Sequence, residues 1–123
     1  MLKKISKRLS KSGIKVSLKT HLDAALPLPI KVTIYRILQE AITNIQTHAN
    51  AQHVHIKLSQ SAEQIELVIE DNGIGFDTGL NLDGHGLRNM RQRVNSSNGD
   101  IDIQSHIGKG THIAVSWRLA TSV

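Results

Sequence analysis

The stretch Ile65-Glu66-Leu67-Val68-Ile69-Glu70-Asp71-Asn72-Gly73-Ile74-Gly75-Phe76 decides the reading of this chain. Its first half has the period of a strand, with Ile65, Leu67 and Ile69 on one face and Glu66, Val68 and Glu70 on the other. Its second half is a glycine loop that follows directly on the strand. Two glycines let the backbone turn tightly and approach a flat ligand closely. Asp71, at the strand end, offers a carboxylate that can accept from an exocyclic amine such as that of adenine. Guanine presents a carbonyl oxygen at that place, and a carboxylate repels it. Sites built on such hydrogen bonds discriminate by roughly 10⁴–10⁵. Taken alone, the same residues also suit a tight turn.

Working outward, the neighbouring segments show similar one-sided patterns. Val54, Ile56 and Leu58 alternate with His53, His55 and Lys57, and Ser59–Gln64 joins this strand to the next at hairpin length. Ile14, Val16 and Leu18 alternate with Lys15, Ser17 and Lys19. Ile101 and Ile103 form one later strand, and Ile113, Val115, Trp117 and Leu119 another, with Gly108 and Gly110 at the turn between them. Five strands with one apolar face each predict a sheet covered on one side only. The cover comes from helices expected near residues 2–11, 34–49 and 86–96. The fold class expected is α+β, a two-layer α/β sandwich with a mixed, mostly antiparallel sheet. Regular βαβ alternation is missing, which disfavours a Rossmann arrangement.

The middle helix carries Ile34, Ile37, Leu38, Ala41, Ile42 and Ile45 at three- and four-residue intervals. Glu40, Asn44 and His48 are spaced by four and therefore share a face beside the apolar stripe. The solvent side is expected to be Arg36, Gln39, Thr43 and Thr47. Polar groups at the rim of a core need partners, whether structural or ligand-borne. An Asn carbonyl and a nearby carboxylate are hard oxygen ligands of the kind magnesium takes.

Residues 71–86 hold five of the nine glycines. Gly84-His85-Gly86-Leu87 opens the third helix, where Met90 and Val94 join Leu87 on the inward side. The free N–H groups of a first helical turn form a ready phosphate site. Asp77–Asp83 lies between the two glycine loops and has the composition of a lid.

With 123 residues and 39% hydrophobic content, the chain suits one packed domain, 1–123. Tyr35, Phe76 and Trp117 are its only aromatics, so the core is aliphatic. So few rings disfavour single-strand nucleic-acid binding, which relies on stacking, and no nucleic-acid partner is expected. The absence of Cys excludes a disulfide framework and thiolate metal sites. No apolar run reaches the roughly 20 residues needed to span a bilayer. The expectation is a cytoplasmic domain without direct membrane insertion, any membrane anchor of the full-length protein lying outside this chain. The net charge is +5. Much of it sits on Lys3, Lys4, Lys7, Arg8 and Lys11, where Leu2, Ile5 and Leu9 supply an apolar face. His53 and His55 are read as a solvated strand face.

Together these segments resemble the ATP-binding domain of sensor histidine kinases, within the wider group that includes gyrase, the Hsp90 chaperones and mismatch-repair ATPases. Tyr35–Asn44 resembles the N box, and Asp71-Asn72-Gly73-Ile74-Gly75-Phe76 the first glycine box. Gly84-His85-Gly86-Leu87-Arg88-Asn89-Met90 resembles the second glycine box, and Gly108-Lys109-Gly110-Thr111 the terminal Gly-Thr element. The N-box wording, the short lid and Met90-Arg91-Gln92-Arg93-Val94 are most similar to the nitrate-sensor-like subfamily. The resemblance runs from about residue 14 to 119.

The resemblance implies a Bergerat-type fold that binds ATP with Mg²⁺. It implies that Asn44 coordinates magnesium and that Asp71 recognises the adenine amine, with Thr111 supporting it through water. Gly73 and Gly75 would line the base, and Gly84, Gly86 and the Leu87 amide would meet phosphate. Glu40 would assist at the metal or the attacking group, as the catalytic residue. Thr47 stands where Lys or Arg is common, which leaves more of the phosphate contact to His48. The implied activity is histidine autophosphorylation in two-component signalling. None of the seven His sits in an acceptor setting, so the acceptor would belong to a dimerisation domain of the same kinase outside this chain, with a response regulator downstream. Two alternatives stay open: an anti-sigma-like serine kinase and a non-catalytic basic interaction module.

Overall fold

The computed structural model describes residues 2–46, 52–74 and 84–119. The elements run α1 (Leu2–Lys11), β1 (Lys15–His21), α2 (Leu28–Asn44), β2 (His53–Gln60), β3 (Gln64–Asp71), α3 (Gly84–Ser96), β4 (Gly99–His106) and β5 (Gly110–Arg118). The five strands form one sheet in the order β1-β2-β3-β5-β4. Only β1 and β2 run parallel; the other three pairings are antiparallel. This is the mixed, mostly antiparallel two-layer sandwich that the alternating patterns predict.

The aliphatic residues do what their periods require. Ile34, Ile37, Leu38, Ala41, Ile42 and Ile45 turn one stripe of α2 into the sheet. Val54, Ile56 and Leu58 from β2, Ile65, Leu67 and Ile69 from β3, and Ile113 and Val115 from β5 meet them. Met90 and Val94 of α3 and Leu9 of α1 complete the same core. Each fully buried aliphatic side chain contributes roughly 1.5–3 kcal/mol of transfer free energy, which is how so few aromatics suffice. The opposite sheet face presents His53, His55 and Lys57 to solvent.

Several boundaries differ from the sequence expectation. α2 begins at Leu28, because Pro27 has the extended geometry of an N-cap and Pro29 sits in the first turn, where its missing N–H costs nothing. The hairpin between β2 and β3 is shorter than Ser59–Gln64, since Gln60 completes β2. Its side-chain oxygen accepts from the amides of Asp23 and Ala24 at 3.1 and 3.0 Å, anchoring the segment that leads to α2. α3 starts at Gly84, two residues early. Of the residues expected on the solvent side, Arg36 and Thr43 are exposed and Gln39 is half-buried. The far end of the expected 34–49 helix and the expected lid lie outside the described residues.

A candidate nucleotide site at the ends of β3 and β5

β3 delivers Asp71 to the rim of the sheet. Its carboxylate is buried, 8% exposed, and accepts a 2.8 Å hydrogen bond from the Gly73 amide. Asp71 is paired in register with Thr111 of β5. Burial pushes the Asp71 carboxyl above its ordinary value of 3.8. The Gly73 and Thr111 amides pull in the opposite direction, and Glu70 adds a small upward push. A buried carboxylate kept at a strand end against its desolvation cost is a candidate for ligand recognition.

The loop around Asp71 is held from two sides. Asn72 Oδ1 accepts from the amides of Gln52 and His53, each at 2.9 Å, tying the loop to the start of β2. The Gly108 amide donates to the Ile74 carbonyl at 2.6 Å, tying it to the β4–β5 turn. Gly110 has φ +81°, and a Cβ there would collide with the Asp71 carbonyl oxygen and crowd Asn72 Cα. Only glycine lets β5 begin so close to the loop. Beside it, the Ser105 and Thr111 hydroxyls are 2.8 Å apart, and Ser105 Oγ donates to the Gly110 carbonyl at 3.2 Å. Ser105 is 3% exposed. The structure therefore brings Asp71, Gly73 and Thr111 together and adds Asn72, Ser105 and Gly110 as their supports.

Glu40 and Asn44 occupy successive turns of α2 and are both half-buried. Neither side chain hydrogen bonds to another described residue. Glu40 lines a cleft shared with Asn89, Met90 and Arg93 of α3. No hydrogen bond joins Glu40 or Asn44 to the Asp71 group among the described residues. Gly84, Gly86 and Leu87 fall in the first turn of α3, the part of a helix whose backbone N–H groups have no intrahelical partner. His48 and Gly75 lie outside the described residues. Among the described residues no three His, Asp or Glu side chains gather as a metal cluster, and none of the helices is long and apolar enough to cross a membrane.

A two-layer sandwich with a buried carboxylate at a strand end, followed directly by a glycine loop, is the arrangement of a class of nucleotide-binding domain. Residues 30–121 match the family model of histidine kinase-, DNA gyrase B-, and HSP90-like ATPases, and the chain belongs to that family. Among curated proteins, it is 36% identical over 96 residues to the signal transduction histidine-protein kinase/phosphatase DegS of Brevibacillus brevis, covering 77% of this chain and 25% of that one. It is 40% identical over 103 residues to the corresponding kinase/phosphatase UhpB of Salmonella typhimurium, covering 79% and 20%. The chain thus spans a quarter or less of the length of these two relatives. Its fold is similar to the histidine kinase domain of the Erythrobacter litoralis EL346 blue-light activated kinase, with a TM-score of 0.75 at 23% identity over 93% of this chain and 55% of that one. The Acinetobacter baumannii histidine kinase AdeS gives a TM-score of 0.71 at 19% identity, over 98% and 64%.

Proposed function

We propose that this chain is the catalytic domain of a longer histidine kinase, one of the nitrate-sensor-like subfamily, which binds Mg-ATP and presents the γ-phosphate to a His outside residues 1–123. The observation that carries this reading is Asp71: a buried carboxylate flanked by the Gly73 and Thr111 amides at the mouth of a glycine loop. Its free acceptor capacity suits the adenine amine, and Thr111 lies beside it to support that contact. Gly73 and Gly75 line the base in this reading. Gly84, Gly86, the Leu87 amide and His48 receive the phosphates.

The uncommitted side-chain oxygen of Asn44 would hold magnesium, a hard cation that takes oxygen ligands. When bound, it neutralises charge on the transferred phosphoryl group. Glu40 is the proposed group that assists the attacking imidazole, one helical turn from Asn44. The acceptor His belongs to a dimerisation domain of the same kinase, and a response regulator then takes the phosphate. The catalytic domain works in the cytoplasm, with any membrane anchor elsewhere in the full-length protein.

Calorimetric titration with a non-hydrolysable ATP analogue, with and without Mg²⁺, tests the nucleotide reading. Binding that Mg²⁺ strengthens and that Asp71→Asn removes supports it; absence of heat from a folded sample overturns it. ATP plus the matched dimerisation domain tests the transfer: acid-labile phosphohistidine supports a histidine kinase, whereas acid-stable phosphoserine on a partner supports the serine-kinase alternative.

A further inference from the structure

β1 is one edge of the sheet, with β2 as its only neighbouring strand. The Lys15 amide donates to the Gln52 carbonyl at 2.9 Å. Lys15, Ser17 and Lys19 therefore turn their backbone groups towards β2, and by strand alternation Val16, Leu18 and Thr20 turn theirs outward. No described residue pairs with those outward N–H and C=O groups. A row of unpaired backbone groups along a strand is a template for a further strand.

The surroundings of this edge are basic. Lys15 and Lys19 stand on the outer face of β1, in register with His53 and Lys57 of β2. Lys19 and Lys57 are like charges directly opposite each other, an arrangement that costs a sheet stability. All three lysines are exposed, and none forms an ion pair with a described residue. The carboxylates of the next strand, Glu66 and Glu70 on β3, stand opposite Ser59 and His55, not opposite a lysine. On the inner face Val16 and Leu18 are only half-buried, and with Ile5 of α1 they rim the core. The edge thus offers cationic side chains on one face, an aliphatic margin on the other, and free backbone groups between them.

We propose that the β1 edge takes an acidic, extended segment of a partner protein as an added strand. Carboxylates alternate along one face of that segment and meet Lys15, Lys19 and Lys57. Aliphatic side chains on its other face cover Val16 and Leu18, and main-chain hydrogen bonds join it to the edge. A second copy of β1 is a poor occupant, because it brings Lys15 and Lys19 of two chains together. Nucleic acid and lipid headgroups match the charge but offer no peptide backbone to Val16, Leu18 and Thr20. An acidic peptide strand answers the charge, the apolar margin and the backbone row at once.

The test is an NMR titration of the chain with a short peptide that alternates Glu and Val. Two isomers of it carry N-methyl groups, one on the Glu residues and the other on the Val residues, so each keeps backbone donors along a single edge. A strand beside β1 uses one set of donors, whichever way it runs, so one isomer should bind and the other should bind about tenfold or more weakly. The expected result is perturbation and slowed exchange of the Val16, Leu18 and Thr20 amides. The double change Lys15→Glu/Lys19→Glu should weaken binding about tenfold or more. Both positions are exposed, so this variant should melt close to the wild type. Binding of both isomers alike, or of neither, would overturn strand addition. Equal affinity for a peptide with its Glu and Val grouped in blocks would do the same, as would perturbation confined to Lys3, Lys4 and Lys7 of α1. Displacement of the peptide by phosphatidylserine vesicles or by an oligonucleotide at lower concentration would assign the basic band to lipid or nucleic acid and overturn the proposal.

Discussion

Asp71 and Thr111 are register partners across β3 and β5, and both the Gly73 and Thr111 amides stabilise the Asp71 carboxylate. The Thr111 hydroxyl is meanwhile engaged with the buried hydroxyl of Ser105 on β4. The group proposed to read the nucleotide is thus fixed by backbone from the glycine loop and from β5, with β4 behind them. That arrangement keeps a desolvated carboxylate in place at a cost to stability, which is the usual signature of a recognition residue.

Asp71→Asn is expected to lower ATP-analogue affinity about 100-fold or more, because an amide cannot supply the same acceptor to the adenine amine. The same substitution should not harm the empty domain. Folding raises the Asp71 pKa above 3.8, chiefly through burial. The protonated form is therefore the one favoured by folding, and its stabilisation, present below 3.8, is lost as pH rises through the folded-state value. Asn imitates the protonated form. At pH 7 the variant should melt at or above the wild type, and the gap should close on acidification towards pH 4. A variant that melts well below the wild type at pH 7 would show that Asp71 is a structural carboxylate.

Gly110→Ala combines two penalties. The left-handed φ of +81° costs a side-chain-bearing residue about 1 kcal/mol or more, and the new Cβ meets the Asp71 carbonyl oxygen. Overlap of that kind adds about 1–3 kcal/mol. Gly13 provides an internal control, since it has the same φ with nothing near its would-be Cβ. Urea unfolding should show Gly110→Ala losing about 2–4 kcal/mol and Gly13→Ala only about 1. Equal losses at the two sites would mean that the close approach of β5 to the loop relaxes freely.

Asn72→Ala removes the acceptor for two amides at once, those of Gln52 and His53. These sites are exposed, so water replaces part of the loss, and about 1 kcal/mol of destabilisation is expected. The clearer effect is local. Amide exchange at Gln52 and His53 should accelerate while exchange in β3 and β5 stays near the wild-type rate. Uniform acceleration across the sheet would show that Asn72 supports the whole fold and not one loop.

Much of this architecture was legible because period and burial agree: every strand has one apolar face, and α2 repeats at helical intervals. Asp71, Gly73 and Thr111 stood out because a carboxylate, glycines and a Gly-Thr pair interrupt otherwise regular patterns. Ser105 did not, since its partner depends on the β4–β5 register, which pairs it with Thr111. Asn72 reads locally as a turn residue, yet its bonds reach back about twenty positions to β2.

Glu40→Gln separates binding from transfer. Glu40 is half-buried on α2 and lines the cleft against α3, and its side chain hydrogen bonds to no other described residue. Gln keeps its size but cannot accept a proton. If Glu40 assists the attacking imidazole, ATP-analogue affinity should stay within about twofold of the wild type. Phosphohistidine formation with the matched dimerisation domain should meanwhile fall roughly 10²-fold or more, the usual contribution of a positioned general base. Asn44→Ala should behave differently, abolishing the increment in affinity that Mg²⁺ provides while leaving a weaker Mg²⁺-independent binding. Calorimetry with and without Mg²⁺, followed by a transfer assay on both variants, distinguishes the roles. If Glu40→Gln instead loses the Mg²⁺ increment with little change in transfer per bound nucleotide, Glu40 acts through the metal and the attacking group has another base.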